Sequence, residues 1–246
     1  TLSADRTQAF VALRLCDVDP DGASTLVSVG LLNLTHRDSH EFPSLLEPGK
    51  PYRVTVRMNA IGYTLLPGHR WRLAIAPTLW NRAWPSPETV TLTLYEGQLS
   101  LPVRLPKPTD AAVRFLPPEA APVMQQDLLR GDIRQRSIEH DLISGITHLI
   151  DYSDDGLRRL LPDGIEFDSV IDQTFSIKDD DPLSAQVRCD FNIELGRGEW
   201  RTKVETSSTM HADKEAFHVS TTVTAFAGAA QLFTRTQSAT IPRNFV

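Results

Sequence analysis

Cysteine is nearly absent. Cys16 and Cys189 are the only two among 246 residues, and they lie far apart in the chain. That excludes a disulfide framework and any Cys-rich metal cage, both of which need closely spaced thiols. Each sits among apolar neighbours in a strand-like run, so both are read as unpaired thiols in a reducing compartment, which points to the cytoplasm. Long hydrophobic runs are missing too. No window approaches the roughly 18 consecutive apolar residues of a membrane helix. Charge of one sign is never concentrated: the net charge is -6, with Arg, Asp and Glu interleaved, which argues against a nucleic-acid or anionic-membrane surface. Helical periodicity is scarce, and a helix is expected only in short pieces such as Asp155 to Leu161. The opening TLSADRTQAF lacks an initiator methionine, a basic start and an apolar stretch. It is therefore no signal peptide, and the chain is expected to begin inside a longer protein.

What is present is β patterning. From Phe10 to Leu34, Val11, Leu13 and Leu15 and then Leu26, Val29, Leu31 and Leu34 form two β-rich runs around Asp19-Pro20-Asp21-Gly22. Proline presets φ for the first corner of a turn, glycine accepts a positive φ, and aspartate bonds nearby amides, so a hairpin is predicted. Tyr52, Val54, Val56 and Met58 alternate with polar residues, as do Trp71, Leu73 and Ile75, then Val90, Leu92 and Leu94, and Leu99 to Leu105 offers one more short strand. Such period-2 segments between Pro/Gly turns predict a two-sheet sandwich whose core includes Val11, Leu13, Leu15, Val54, Val56, Leu73, Ile75 and Leu92.

Around Leu105 the composition changes. Pro106, Pro108, Pro117, Pro118 and Pro122 remove backbone donors and resist both helix and sheet interior, so residues 108–122 are read as a linker. It divides a first domain, residues 1–107, from a second, residues 123–246. In the second, alternation along Val187–Leu195, Trp200–Thr206, Phe217–Ala225 and Leu232–Ala239 predicts an antiparallel meander with one buried face. The fold class is all-β: a sandwich followed by a second antiparallel β-rich domain.

Four motifs occur in order: Leu15-Cys16-Asp17-Val18-Asp19-Pro20-Asp21-Gly22, Gly30 to Arg37 (GLLNLTHR), Pro67 to Ile75 (PGHRWRLAI) and Trp84-Pro85-Ser86-Pro87-Glu88. In these the chain resembles the C-terminal β domain of X-prolyl dipeptidyl-peptidase and cocaine-esterase-like serine hydrolases. Asp180-Asp181-Pro182-Leu183-Ser184-Ala185 and Ile241-Pro242-Arg243 resemble a tail that some members carry. The resemblance implies a jelly roll, similar to galactose-binding sandwiches, that follows an α/β-hydrolase domain carrying a Ser, Asp and His triad. The partner implied is that upstream domain of the same parent chain, with room left for a homo-oligomer.

No catalytic residue, cofactor or metal ligand is assigned within the chain. A hydrolase nucleophile needs Gly-x-Ser-x-Gly, because small flanking residues permit the strained strand-to-helix turn that presents the hydroxyl. The nearest approach, Leu26-Val27-Ser28-Val29-Gly30, has leucine at the first position and lies in a strand. His36 and His40 sit in a strand-to-turn context with no third ligand nearby, and His69 reads as a turn residue bonding loop backbone. Lys178-Asp179-Asp180-Asp181-Pro182 is too short alone for the six or so oxygens of a calcium site. Arg70, Arg72, Trp80 and Trp84 could stack a sugar, but tryptophans in a Pro-rich loop suit a clamp on a neighbouring domain better. Leu79, Trp80, Trp84 and Pro85 are therefore the docking candidates, expected as an exposed apolar patch that meets the catalytic domain. The rival readings are a carbohydrate-binding module, and a lipid- or small-molecule-binding β domain with an open apolar cavity in residues 123–246.

Overall fold

The computed structural model describes residues 1–161 and 163–246. Among these the chain is all-β, with antiparallel sheets and no α-helix. The first half begins with β1 (Leu2–Ala4), β2 (Phe10–Val18) and β3 (Ser24–Asn33), followed by β4 (Arg70–Ala76) and β5 (Leu92–Leu94). β2 is central, with β3 on one side and β4 on the other. The hairpin between β2 and β3 is closed as its sequence predicts. Gly22 N–H donates to the Asp19 carbonyl (3.1 Å), the Asp19 side chain accepts from Ala23 N–H (2.9 Å), and Gly22 takes a φ of +95°. Only glycine adopts that backbone without strain.

β1 pairs with β5, and this small sheet faces the three-stranded one across a core of Leu2, Ala4, Ala9, Val11, Leu34, Leu46 and Val90. Leu13, Val54, Val56 and Leu92 pack against it. Leu15 and Val18 are buried as well. Three expectations need correction. Tyr52 to Met58 shows the predicted alternation of half-buried and exposed residues, yet among the described residues its backbone pairs only through single bridges, Leu2 to Tyr52 and Gly30 to Met58, so it is an extended segment without a ladder. Ile75, opposite Leu13 on β4, is 40% exposed, β4 being the edge strand of its sheet. Leu99 to Leu105 forms no strand; it runs largely exposed into a 3-10 turn at Pro108–Ala112, as its prolines favour.

Among the described residues the second half is one sheet of nine strands: β6 (Gln126–Arg130), β7 (Ile133–Asp141), β8 (Ile146–Asp154), β9 (Leu157–Leu160), β10 (Ile165–Lys178), β11 (Asp181–Arg197), β12 (Trp200–Ala212), β13 (Ala216–Ala227) and β14 (Ala230–Pro242). The order runs β14-β13-β12-β11-β10-β8-β7, with β9 joining the start of β10 to β6. The piece expected as helix, Asp155 to Leu161, holds strand β9, because Gly156 turns the chain back so that β9 completes the β10 ladder. A Cβ at Gly156 would lie 2.4 Å from the Arg130 carbonyl, and its φ is +75°, so only glycine fits. Beside it, Asp154 is buried, bonds Gly156 N–H (2.8 Å) and pairs with Arg130, whose guanidinium also reaches Asp168 (2.7 Å). The Arg130 bond holds the Asp154 carboxyl below its ordinary range.

Register sorts the sheet into two faces. Phe167, Ile171 and Phe175 on β10 align with Leu195, Phe191 and Val187 on β11, and Val204 and Met210 on β12 and Val219 and Val223 on β13 lie on the same face. The other face carries hydroxyls, carboxylates and amines. The acidic run Lys178 to Pro182 lies at the β10–β11 hairpin, where Asp181 accepts from Leu183 N–H and Ser184 Oγ donates to the Asp181 carbonyl.

Candidate functional site

The chain brings its two halves together at the Pro77 to Thr89 loop, which leaves β4 and returns to β5. The loop folds on itself first: Arg82 and Ala83 N–H both donate to the Leu79 carbonyl (2.9 and 3.0 Å). That local turn sets Trp80 and Trp84 edge to face, ring centres 5.2 Å apart. Each indole then meets an aromatic ring of the second sheet. Trp80 lies edge-on to Phe175 of β10 (6.2 Å) and Trp84 edge-on to Phe217 of β13 (5.8 Å). Edge-to-face geometry places the positive ring edge on the negative face and contributes about 0.5–1.5 kcal/mol per pair beyond burial.

Arg243, just after β14, locks the seam. It is 4% exposed, and its guanidinium stacks 4.8 Å over the Phe217 ring. The same group donates to the Pro85 carbonyl of the loop (2.5 Å) and the Asp213 carbonyl of the β12–β13 turn (3.1 Å). Burial pulls its pKa down from the ordinary arginine value. Farther along, the Phe245 carbonyl accepts from Asn33 Nδ2 (2.7 Å) and Thr35 Oγ1 (2.8 Å), tying the chain's end to the end of β3. Thr89 Oγ1 reaches the Asp180 carbonyl at 3.4 Å.

The docking candidates are thus not an open patch. Leu79, Trp80 and Trp84 are half-buried and Pro85 is buried, because the chain's own second sheet supplies the covering surface. Phe175 and Arg243 had no assigned part in this contact from sequence. Their only signal was an aromatic in the period-2 run Ile165 to Ile177, and the Ile241-Pro242-Arg243 tail.

The histidines and Ser28 sit elsewhere. His69 Nδ1 is 2.8 Å from buried Asp17, whose other oxygen accepts from the Tyr63 hydroxyl (2.6 Å). The Tyr63 bond, with His69 second, lowers the Asp17 pKa, and Tyr63 is raised in turn by Asp17. His69 therefore serves a buried carboxylate rather than the loop backbone. The Ser28 hydroxyl donates to the Asn59 carbonyl (2.8 Å). His36 and His40 face each other, Nδ1 to Nδ1 at 3.3 Å. Among the described residues no three His, Cys, Asp or Glu groups converge as a metal cage. Cys16 and Cys189 are free, on β2 and β11.

At the seam's far side, Asp213 accepts from Glu215 and Ala216 N–H and from His218 Nε2 (2.7 Å). His218 first, then the two amides, depress its carboxyl from 3.8 to about 2. A depressed acid adds stability above its unfolded pKa and loses it as pH falls through the folded one. The turn's contribution should accordingly be whole above pH 3.8 and vanish between 3.8 and about 2. Carboxyl NMR titration should give a midpoint near 2 for Asp213, moving up toward 3.8 in His218→Ala. An unchanged midpoint in that variant would show that the amides alone set it.

Residues 1–123 match the family profile described as the X-Pro dipeptidyl-peptidase C-terminal non-catalytic domain. The cocaine esterase of Rhodococcus sp. (strain MB1 Bresler) is 37% identical over 69 residues, which is 28% of this chain and 12% of that enzyme. No described helix is long and apolar enough to cross a membrane. With the profile matching half the chain and the sandwich it describes occupying the same residues, the chain belongs to the family of X-Pro dipeptidyl-peptidase C-terminal non-catalytic domains.

Proposed function

We propose that this chain is the non-catalytic C-terminal portion of a serine hydrolase, working as two units, residues 1–107 and 123–246, joined by residues 108–122. It packs on an upstream α/β-hydrolase domain of the same parent and shapes the rim of that domain's active site. The observation that carries this reading is the family match over residues 1–123, to a domain described as non-catalytic. The likeness to part of a cocaine esterase adds to it. The parent would cleave an ester or amide bond through an acyl-enzyme, and two free thiols fit a cytoplasmic setting.

The rival readings have less support. A pyranose stacks on an open ring face, whereas Trp80 and Trp84 are half-buried and engaged edge to face with each other and with Phe175 and Phe217. A lipid site needs an apolar cavity, whereas a hollow of about 200 Å³ on the second sheet is lined mostly by polar residues, Asp168, Val170, Asn192, Glu194, Lys203 and Glu205.

Two measurements test the proposal. The 246-residue chain should hydrolyse neither p-nitrophenyl esters nor X-Pro p-nitroanilides above buffer. Turnover abolished by Ser28→Ala or His69→Ala would overturn it. In the parent enzyme, deletion of this portion should raise KM or lower thermal stability; a truncated enzyme unchanged in KM, kcat and Tm would refute the packing role.

A further inference from the structure

The nine-stranded sheet is open, and its two long edges are built differently. β7 leaves one backbone edge unpaired among the described strands, and it carries Arg134, Arg136, Glu139, His140 and Asp141 within nine residues. Its arginines pair with Asp155 and Asp151. Such charge is how natural edge strands discourage pairing with another chain. β14, at the opposite edge, lacks this guard. All thirteen of its residues are exposed, Leu232, Phe233 and Ile241 among them, and its single charge is Arg235. Even that guanidinium lies along its own strand, 3.0 Å from the Gln237 side-chain amide, whose oxygen accepts from it once the amide is turned over.

The polar face of β14 already shows what it pairs with. Across the β13–β14 ladder, Ser220 meets Ser238 (3.1 Å), Thr222 meets Thr236 (2.8 Å) and Thr224 meets Thr234 (3.2 Å), three successive hydroxyl rungs. Cross-strand Thr and Ser pairs of this kind are a unit of sheet stabilisation. We propose that β14 is a self-association edge: two copies of this chain pair antiparallel through β14 about a twofold axis at Thr236, joining their sheets.

The register follows from the sequence of the strand. Thr236 is the midpoint of Ala230–Pro242, so centring there overlaps the full strand. It sets Thr234 opposite Ser238 of the second copy and Thr236 opposite itself, which continues the hydroxyl ladder by three further rungs. Arg235 then faces Gln237 of the second copy, and no like charges meet. A shift of the axis to Arg235 would bring two guanidinium groups together, which is unfavourable. An antiparallel strand pair about a twofold is self-complementary, as an isologous dimer requires. The edge lies on residues 230–242, outside the family match of residues 1–123, and the proposal does not depend on a hydrolase domain upstream.

Sedimentation equilibrium of the 246-residue chain tests it. The expected species has twice the 27.4 kDa monomer mass. Thr234→Lys with Ser238→Lys sets two lysine pairs face to face, and Thr234→Glu with Ser238→Glu does the same with carboxylates. Each should raise the dimer Kd about tenfold or more through like-charge contacts. A one-to-one mixture of the two should recover at least wild-type affinity, which misfolded variants could not do. Independently, Thr236→Cys should form an intermolecular disulfide between the two copies under mild oxidation. A wild-type chain that stays monomeric at about 100 micromolar, a dimer whose Kd neither charged variant changes, or a mixture that fails to restore pairing would each overturn the proposal.

Discussion

Trp84→Ala is expected to cost the isolated chain about 3 kcal/mol of unfolding free energy, the lower end of the range for truncating a packed tryptophan. The lower end applies because Trp84 is half-buried. Its ring leans on Trp80 at 5.2 Å and Phe217 at 5.8 Å, so alanine would empty the centre of the seam, leave Phe217 without its edge-to-face neighbour and leave Trp80 with Phe175 alone. Urea unfolding should show the loss, and Trp84→Phe should recover part of it. A loss below about 0.5 kcal/mol, typical of surface positions, would mean that the loop is not a structural contact at all. An exposed docking patch, as composition alone implies, would give the opposite, a small effect in this chain and a large one only in a longer parent.

Arg243→Ala should be comparably costly, about 3 kcal/mol, because truncating a buried cation removes charged hydrogen bonds and strands their acceptors. The Pro85 and Asp213 carbonyls would lose their donor and Phe217 its stacked guanidinium. Arg243→Lys keeps the charge but offers a point donor in place of a planar fork, so it should restore only part. Since Arg243 and Trp84 share Phe217, the double variant should lose less than the sum, with a coupling of about 0.5 kcal/mol or more. Strict additivity in urea unfolding would show that the two do not act through that ring. Both variants should also speed proteolysis near Pro106 to Pro122, where the chain between the halves is exposed.

Most strands were legible because burial on one face imposes period 2. Val187 to Leu195 and Phe217 to Ala225 read as strands and lie in β11 and β13. The alternation of Ile165, Phe167, Ile171, Phe175 and Ile177 with Glu166, Asp168 and Asp172 is equally plain, although β10 was not among the expected strands. β6, β7 and β8 were not among the expected strands either; elsewhere, pairing rather than pattern was at issue. Tyr52 to Met58 alternates perfectly and still forms only bridges, since a ladder needs a partner strand in register and the pattern does not supply one. At Asp155 to Leu161, a short stretch with two arginines and three leucines gives no decisive period, and a turn at Gly156 settles it as β9.

The sequence by itself determined the all-β class, the Asp19 to Gly22 hairpin, the alternating faces of the meander and the likeness to a hydrolase C-terminal domain. Each depends on residues close in the chain or on an ordered set of short motifs. Tertiary structure alone decided what the Trp80 and Trp84 loop touches, that Arg243 closes over Pro85, and that His69 bonds Asp17. Those contacts join residues 52 to 158 positions apart, and hydrophobicity specifies that such side chains will be covered without specifying by what. The covering partner is chosen only when both sheets exist and their surfaces can meet.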